Sequence, residues 1–174
     1  LKLGEIEDPL SPGSGTPLFS AGQTIRVDGV EKGTQILGAA GFLVEAASTV
    51  QDFMDFLTDS FGLRTDIGAN PDGGQPGVTL DPLTGVIGIT GNSGETNNIT
   101  MTGEDIRVFN ADGTLASQPF LVNQTAEASG EAIKTAFTVY DSLGTPLRVD
   151  ISMVLENKSN TGTTWRYYAE SPDD

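Results

Sequence analysis

The side chains best equipped for chemistry in this 174-residue chain are carboxylates: 24 Asp and Glu stand against 9 Lys and Arg, with no His and no Cys. Without imidazole or thiol the chain cannot assemble a Ser-His-Asp triad, a thiol nucleophile, a Cys/His zinc site or a disulfide framework. Acid chemistry and oxygen ligation remain. Asp52 and Asp55, with Asp59 nearby, are the kind of carboxylate pair that glycoside hydrolysis uses. All three fall on the polar side of a predicted helix, where acids are ordinarily solvated, so no catalytic residue is assigned and the chain is not expected to be an enzyme. Residues 70–77 and 91–98 are rich in Asn, Asp and Gly. Neither stretch has the Asp-x-Asp-x-Asp-Gly spacing with a distal Glu that a calcium loop needs, and Asp and Asn favour turns for backbone reasons, so no metal is expected. The glycine-rich residues 85–94 lack both Gly-x-Gly-x-x-Gly and Gly-Lys-Ser/Thr and lead into no helix, so no nucleotide or other cofactor is expected. Trp165 could stack on a sugar or a base, but a single tryptophan on an alternating strand reads as a core residue. Triplets for N-glycosylation begin at Asn98, Asn123 and Asn157, and a chain rich in Thr, Ser and Asn produces them by chance.

The formal charge of −15 repels phosphate backbones and anionic lipid, so neither nucleic acid nor a membrane surface is an expected partner. The longest apolar stretch, residues 36–44, is diluted by Gly38, Ala39, Ala40 and Gly41 and is about half of the ~20 residues a spanning helix requires. The chain opens on Leu1-Lys2-Leu3, with no Met and no signal-like apolar segment, and is expected to be a fragment of something longer. Its stop at Ser171-Pro172-Asp173-Asp174, directly after a strand, adds to that expectation.

The elements that must position these residues are mostly strands. Asp8-Pro9, Ser11-Pro12-Gly13-Ser14-Gly15 and Thr16-Pro17 predict a connector over 1–21. Thr24-Ile25-Arg26-Val27-Asp28 alternates with period two, and Gly41-Phe42-Leu43-Val44-Glu45 is a short glycine-bounded apolar run; both predict strands. Ser48-Thr49-Val50-Gln51 fits a capping box, and Val50, Phe53, Met54, Leu57 and Phe61 fall on one face of a helix that Gly62 ends. Val78-Thr79-Leu80 and 86–90 predict a hairpin, followed by strands at Ile99-Thr100-Met101 and Ile106-Arg107-Val108-Phe109. The last third is the most regular. Thr135-Ala136-Phe137-Thr138-Val139-Tyr140 leads through a turn at Asp141-Ser142-Leu143-Gly144, with Gly144 available for φ > 0, into a strand in which Leu147, Val149, Ile151, Met153 and Leu155 alternate with mainly polar residues. Thr164-Trp165-Arg166-Tyr167-Tyr168-Ala169 follows, with Trp165, Tyr167 and Ala169 on one face. The predicted fold is mainly β, with short antiparallel strands and hairpins and one amphipathic α-helix in two small β-rich units: a helix-containing domain over 22–116 and a β-barrel-like domain over 117–174, with too few strands to close.

The run from Thr135 to Pro146, its alternating strand and Thr164-Trp165-Arg166-Tyr167 resemble the bacterial flagellar hook protein, in which a Val-Tyr-Asp-Ser-x-Gly turn opens a β-barrel-like outer domain and a Trp strand follows at this distance. The resemblance covers residues 130–174. Upstream, Thr16-Pro17-Leu18-Phe19-Ser20-Ala21-Gly22-Gln23-Thr24-Ile25, the helix over 48–62 and Ile89-Thr90-Gly91-Asn92-Ser93-Gly94-Glu95-Thr96-Asn97 look like the insertions that larger hook proteins carry. They resemble more loosely the helix-plus-hairpin modules of flagellins and hook-associated proteins. The chain departs from that family in having no sustained apolar heptads, so the helices that polymerise the inner tube are missing. The resemblance implies the surface-exposed outer domains of a hook subunit: extracellular, exported by the flagellar secretion system without a cleaved signal, and part of a tubular universal joint. Its partners would be other copies of itself in a helical polymer and the rod, hook-cap and hook–filament junction proteins. It implies no active site, a structural role for Tyr140, Asp141, Gly144 and Trp165, and a monomeric isolated fragment. The alternative is an extracellular adhesin or carbohydrate-binding β-module, which would need aromatic side chains at its surface.

Overall fold

Alternating apolar residues between glycine turns produce twelve strands and one α-helix in the computed structural model, which describes residues 1–171. The expected chain stop at 172–174 lies outside the described residues. The protein is mainly β, built of small antiparallel sheets around one amphipathic helix.

Strand β1 (Thr24–Val27) pairs antiparallel with β4 (Ala40–Leu43) on one side and β8 (Ile106–Phe109) on the other, and β9 (Leu115–Ser117) extends the sheet beyond β8. Two shorter pairings flank it. One joins β2 (Glu31–Lys32) to β3 (Gln35–Ile36) and β7 (Ile99–Thr100); the other is the hairpin of β5 (Gly77–Leu80) and β6 (Ile87–Thr90). Ile25 stands opposite Phe42 and Val108 in the register, so three apolar side chains line one face of the four-stranded sheet. Helix α1 (Val50–Ser60) presents Val50, Phe53, Met54 and Leu57 to the core, the stripe that the sequence spacing predicts. The Phe42 ring meets Phe53 edge-on at 5.7 Å and Phe56 at 5.5 Å, arrangements that aromatic quadrupoles favour.

The helix starts one residue later than the expected cap. Thr49, not Ser48, is the N-cap: its hydroxyl accepts from the Asp52 amide at 3.1 Å, and the Asp52 carboxylate accepts from the Thr49 amide at 2.8 Å. Asp52 supplies the reciprocal acceptor of the box together with a negative charge at the positive end of the helix dipole, which Gln51 could not. Ser48 is used one turn earlier, where its hydroxyl accepts from the Glu45 amide at 2.9 Å.

Residues 1–21, expected as a connector, fold back onto the body. Leu3 and Phe19 are both in the core, the Leu3 amide donates to Ser48 O at 2.9 Å, and Leu18 N donates to Ile6 O at 2.7 Å. The prolines and glycines of 8–17 close a loop here instead of extending one. At the other boundary, Phe120 lies stacked between Phe19 and Phe53, with centroids 6.0 and 5.8 Å away, and ties the segment after β9 to the helix-containing unit.

The C-terminal unit is one meander of three consecutive strands, β10 (Ala132–Tyr140), β11 (Pro146–Ser159) and β12 (Gly162–Glu170), in the order β10-β11-β12. Among the described residues the sheet stays open, without closing into a barrel.

Candidate assembly surface

Strand alternation sorts the meander into two faces of opposite character. Register places Ile133, Phe137 and Val139 of β10 beside Met153, Val149 and Leu147 of β11, and Tyr167 and Trp165 of β12 beside Met153 and Leu155. Together with Thr135, Ile151 and Ala169 these residues form an uncharged centre, bounded at one end by Lys158, which stands beside Thr163 on the same face, and by Glu131, whose carbonyl accepts from Leu155 N. It is also the outward face: Ile133, Phe137, Trp165 and Tyr167 are 53%, 46%, 40% and 72% exposed, and the five apolar residues of β11 are half-buried.

The opposite, inward face is polar. Asp150, buried, is paired with Arg148 at 2.8 Å and Lys134 at 3.6 Å. Tyr168, also buried, brings its hydroxyl within 3.4 Å of Ser93 Oγ in the helix-containing unit. Arg166 donates to Ala69 O at 3.0 Å and pairs with Glu156. Lys134 Nζ donates to Gln35 Oε1 at 2.6 Å. Lys32 Nζ donates to Gly62 O, just past the end of α1, at 3.0 Å and to Glu170 Oε1 at 2.6 Å. One apolar side chain, Val154, is fully buried on this face and sits against Gly94 and Gly130. The two units therefore meet mainly through hydrogen bonds and the Lys32–Glu170 ion pair.

The expected burial of Trp165 is thus inverted. The alternation is present as predicted, but the apolar face looks out and the face bearing Tyr168, Asp150 and Val154 looks in. Oppositely charged neighbours on β10 and β11 neutralise the inward face, which is what allows Asp150 to be buried.

The turn that carries the family resemblance is self-contained. Asp141 Oδ1 accepts from the amides of Leu143 and Thr145, each at 2.8 Å, while Asp141 O accepts from Gly144 N at 3.0 Å. Gly144 has φ +83°, the left-handed conformation for which the sequence reserved it. The Thr145 amide, then that of Leu143, holds the Asp141 carboxyl below the usual carboxylate range. Tyr140 is exposed at the end of β10.

The candidate chemical residues are otherwise occupied. Asp52 serves the helix cap, and the Thr49 amide lowers its carboxyl pKa. Asp55 accepts from Gln51 Nε2 at 2.7 Å. The Asn-rich loops use their side chains on backbone groups: Asn92 both accepts from Arg64 N and donates to Arg64 O at 2.9 Å, Asn70 donates to Gly91 O at 2.9 Å, and Asn97 donates to Ser93 O at 2.8 Å. These three asparagines are buried. Sequence reasoning missed them, and it missed Lys32 and Tyr168; the partners of Asn70, Asn92, Lys32 and Tyr168 lie far away along the chain, and that of Asn97 lies within its own loop. The described residues contain no group of three acids able to hold a metal ion, and no helix is long and apolar enough to cross a membrane. An open groove of about 540 Å³ beside β1 and the β8–β9 turn has Arg26 as its charged lining residue; Arg26 lies 3.3 Å from Asp28.

Comparison of the chain with protein-family models, with curated proteins and with solved structures returned no match.

Proposed function

We propose that this chain is a structural element, the outer domains of a bacterial flagellar hook subunit, placed outside the cell in a tubular joint that transmits torque from motor to filament. The observation that carries the reading is the Val139-Tyr140-Asp141-Ser142-Leu143-Gly144-Thr145-Pro146 stretch, with the Trp165 strand after it. Asp141 and Gly144 spend their special chemistry on a tight turn between two long strands, a structural role of the kind the resemblance implies. The contacts between the two units are mainly polar, with Lys32–Glu170 and Arg166–Ala69 among them, in keeping with outer domains that meet through polar contacts. The partners of this reading are further copies of the subunit and the neighbouring rod, cap and junction proteins. No catalysis is part of it.

Gold-labelled antibody against this chain, imaged by electron microscopy on intact cells of the source species, tests the proposal. Label confined to the short curved segment between cell body and filament supports it; label elsewhere overturns it.

The outward aromatic side chains favour a second reading. Phe137, Trp165 and Tyr167 on an open sheet are the surface aromatics that an adhesin or carbohydrate-binding module requires, because their rings stack on sugar faces. A shift of Trp165 fluorescence with a member of a glycan panel would support it, and an unresponsive spectrum throughout would dispose of it.

A further inference from the structure

The outward face of the C-terminal sheet is the least water-adapted surface of the molecule. A face three strands wide and nine paired residues long measures about 14 by 30 Å, comparable to the largest apolar patches that monomers tolerate. We infer that this face pairs with the same face of a second copy of this chain, forming a two-layer β-sandwich.

Three observations select a second copy as the occupant. The first is charge. The chain carries −15, so two copies repel through most of their surfaces, yet the centre of this face is uncharged and its charged residues, Lys158 and Glu131, stand at one end. Two copies that meet on this uncharged centre desolvate no carboxylate there.

The second is self-complementarity, which a contact between identical patches demands. Strands β10 and β12 lie on opposite sides of β11, and Ile133 and Tyr167 both stand level with Met153. A two-fold axis along the strands sets Ile133 of one copy over Tyr167 of the other, and the reverse, so the most exposed aromatic meets a branched aliphatic twice.

The third is area. The exposed parts of Phe137, Trp165 and Tyr167 supply about 300 Å² if each ring side chain offers ~200 Å². With the aliphatic side chains of β10 and β11 the face approaches the ~800 Å² per partner of a standard interface. The pair is therefore of the weak, concentration-dependent class. It departs from the monomeric behaviour that the resemblance implies, because the side chains expected inside the unit lie outside it.

The pairing rests on the sheet face and not on the hook reading: an isologous pair closes on itself and does not propagate a tube. Sedimentation of the 174-residue chain between about 5 and 500 μM tests it, with Tyr167→Glu and Ile133→Glu as variants. The expected result is a wild-type weight-average mass rising about twofold across that range, with each variant staying at the monomer mass while keeping the wild-type circular dichroism and melting curve. A wild-type chain monomeric throughout overturns the inference, as do variants that associate like the wild type. A monomeric wild type that binds an apolar dye, with binding lost in Tyr167→Glu, also overturns it and shows an apolar face that no second copy covers. Gold label found away from the hook would leave the pairing untouched.

Discussion

The ammonium of Lys32, on a two-residue strand of the helix-containing unit, lies 2.6 Å from the Glu170 carboxylate at the end of the last strand. Its side chain is 6% exposed, while that of Glu170 is 36% exposed. Replacing the acid therefore strands a buried cation beside the Gly62 carbonyl. Glu170→Gln is expected to destabilise the protein by about 1 to 2 kcal/mol in urea unfolding. Lys32→Met removes the charge with its desolvation cost and is expected to lose less. A double variant as unstable as the sum of the singles would refute the coupling.

Gly94 is held at φ +98°, and a Cβ there would lie 2.5 Å from Val154 Cγ2 and 3.3 Å from Ala132 Cβ. Gly94→Ala should cost about 2 to 4 kcal/mol, combining backbone strain with a clash between the units. In Gly94→Ala/Val154→Ala the steric part is relieved and the backbone part persists, so thermal unfolding of the pair should be less than additive.

Gly144 offers the contrast. Its φ is +83°, but no atom lies within 4 Å of where a Cβ would stand. Gly144→Val is expected to lower stability by about 1 to 2 kcal/mol through conformation alone. An unchanged melting temperature would contradict the left-handed turn.

Tyr168 and Trp165 test which face of the sheet is inside. Tyr168→Ala is expected to cost about 3 to 4 kcal/mol, because the side chain is fully buried. Trp165→Ala, at a position 40% exposed, is expected to cost about 1 kcal/mol or less at low protein concentration. The reverse order in denaturant midpoints would turn the sheet over.

Acid should weaken the fold through its caps and turns. Carboxyls are held below their usual values at Asp52 by the Thr49 amide, Asp66 by the Arg64 side chain, Asp81 by the Leu83 amide, Asp112 by the Thr114 hydroxyl and Asp141 by the Thr145 amide. With folded pKa values below the unfolded value of about 4, their contribution is complete above that pH and is lost as pH falls through the folded values. Melting temperatures recorded from neutral pH to about 2.5 should fall more steeply at the acid end in the wild type than in Asp52→Asn/Asp141→Asn. Neutralisation of the net charge, −15 in the wild type and two units smaller in the variant, relieves repulsion in both proteins and so contributes little to the difference between them.

The alternation of β11 and the apolar stripe of α1 were legible because each is set by local periodicity, two residues in one case and 3.6 in the other. Which face of β11 is buried was not legible. Leu147 to Leu155 and Trp165 are the more apolar set, yet burial went to Asp150 and Tyr168, whose partners Lys134 and Ser93 lie on other strands and loops. The helix start slipped by one residue because Ser48 and Thr49 are both competent caps, and only the reach of Asp52 decides between them. Asn70, Asn92 and Asn97 read as turn formers, and nothing in their immediate neighbours announces the backbone groups on which they close.

The two units also differ in how far along the chain their strands must search. In the meander every ladder joins neighbours in sequence, so β10, β11 and β12 can zip through two turns with little loop-closure entropy. The four-stranded sheet cannot form until Thr24 finds Phe109 and Ile25 finds Val108 across most of the helix-containing unit. Contacts of that span form slowly. The meander is therefore assembled first, and its apolar face is presented to water while the larger unit is still condensing. A refolding chain passes through an interval in which the second face of this sheet, with Val154 and Tyr168, is uncovered as well, and refolding yield should fall with protein concentration during that interval.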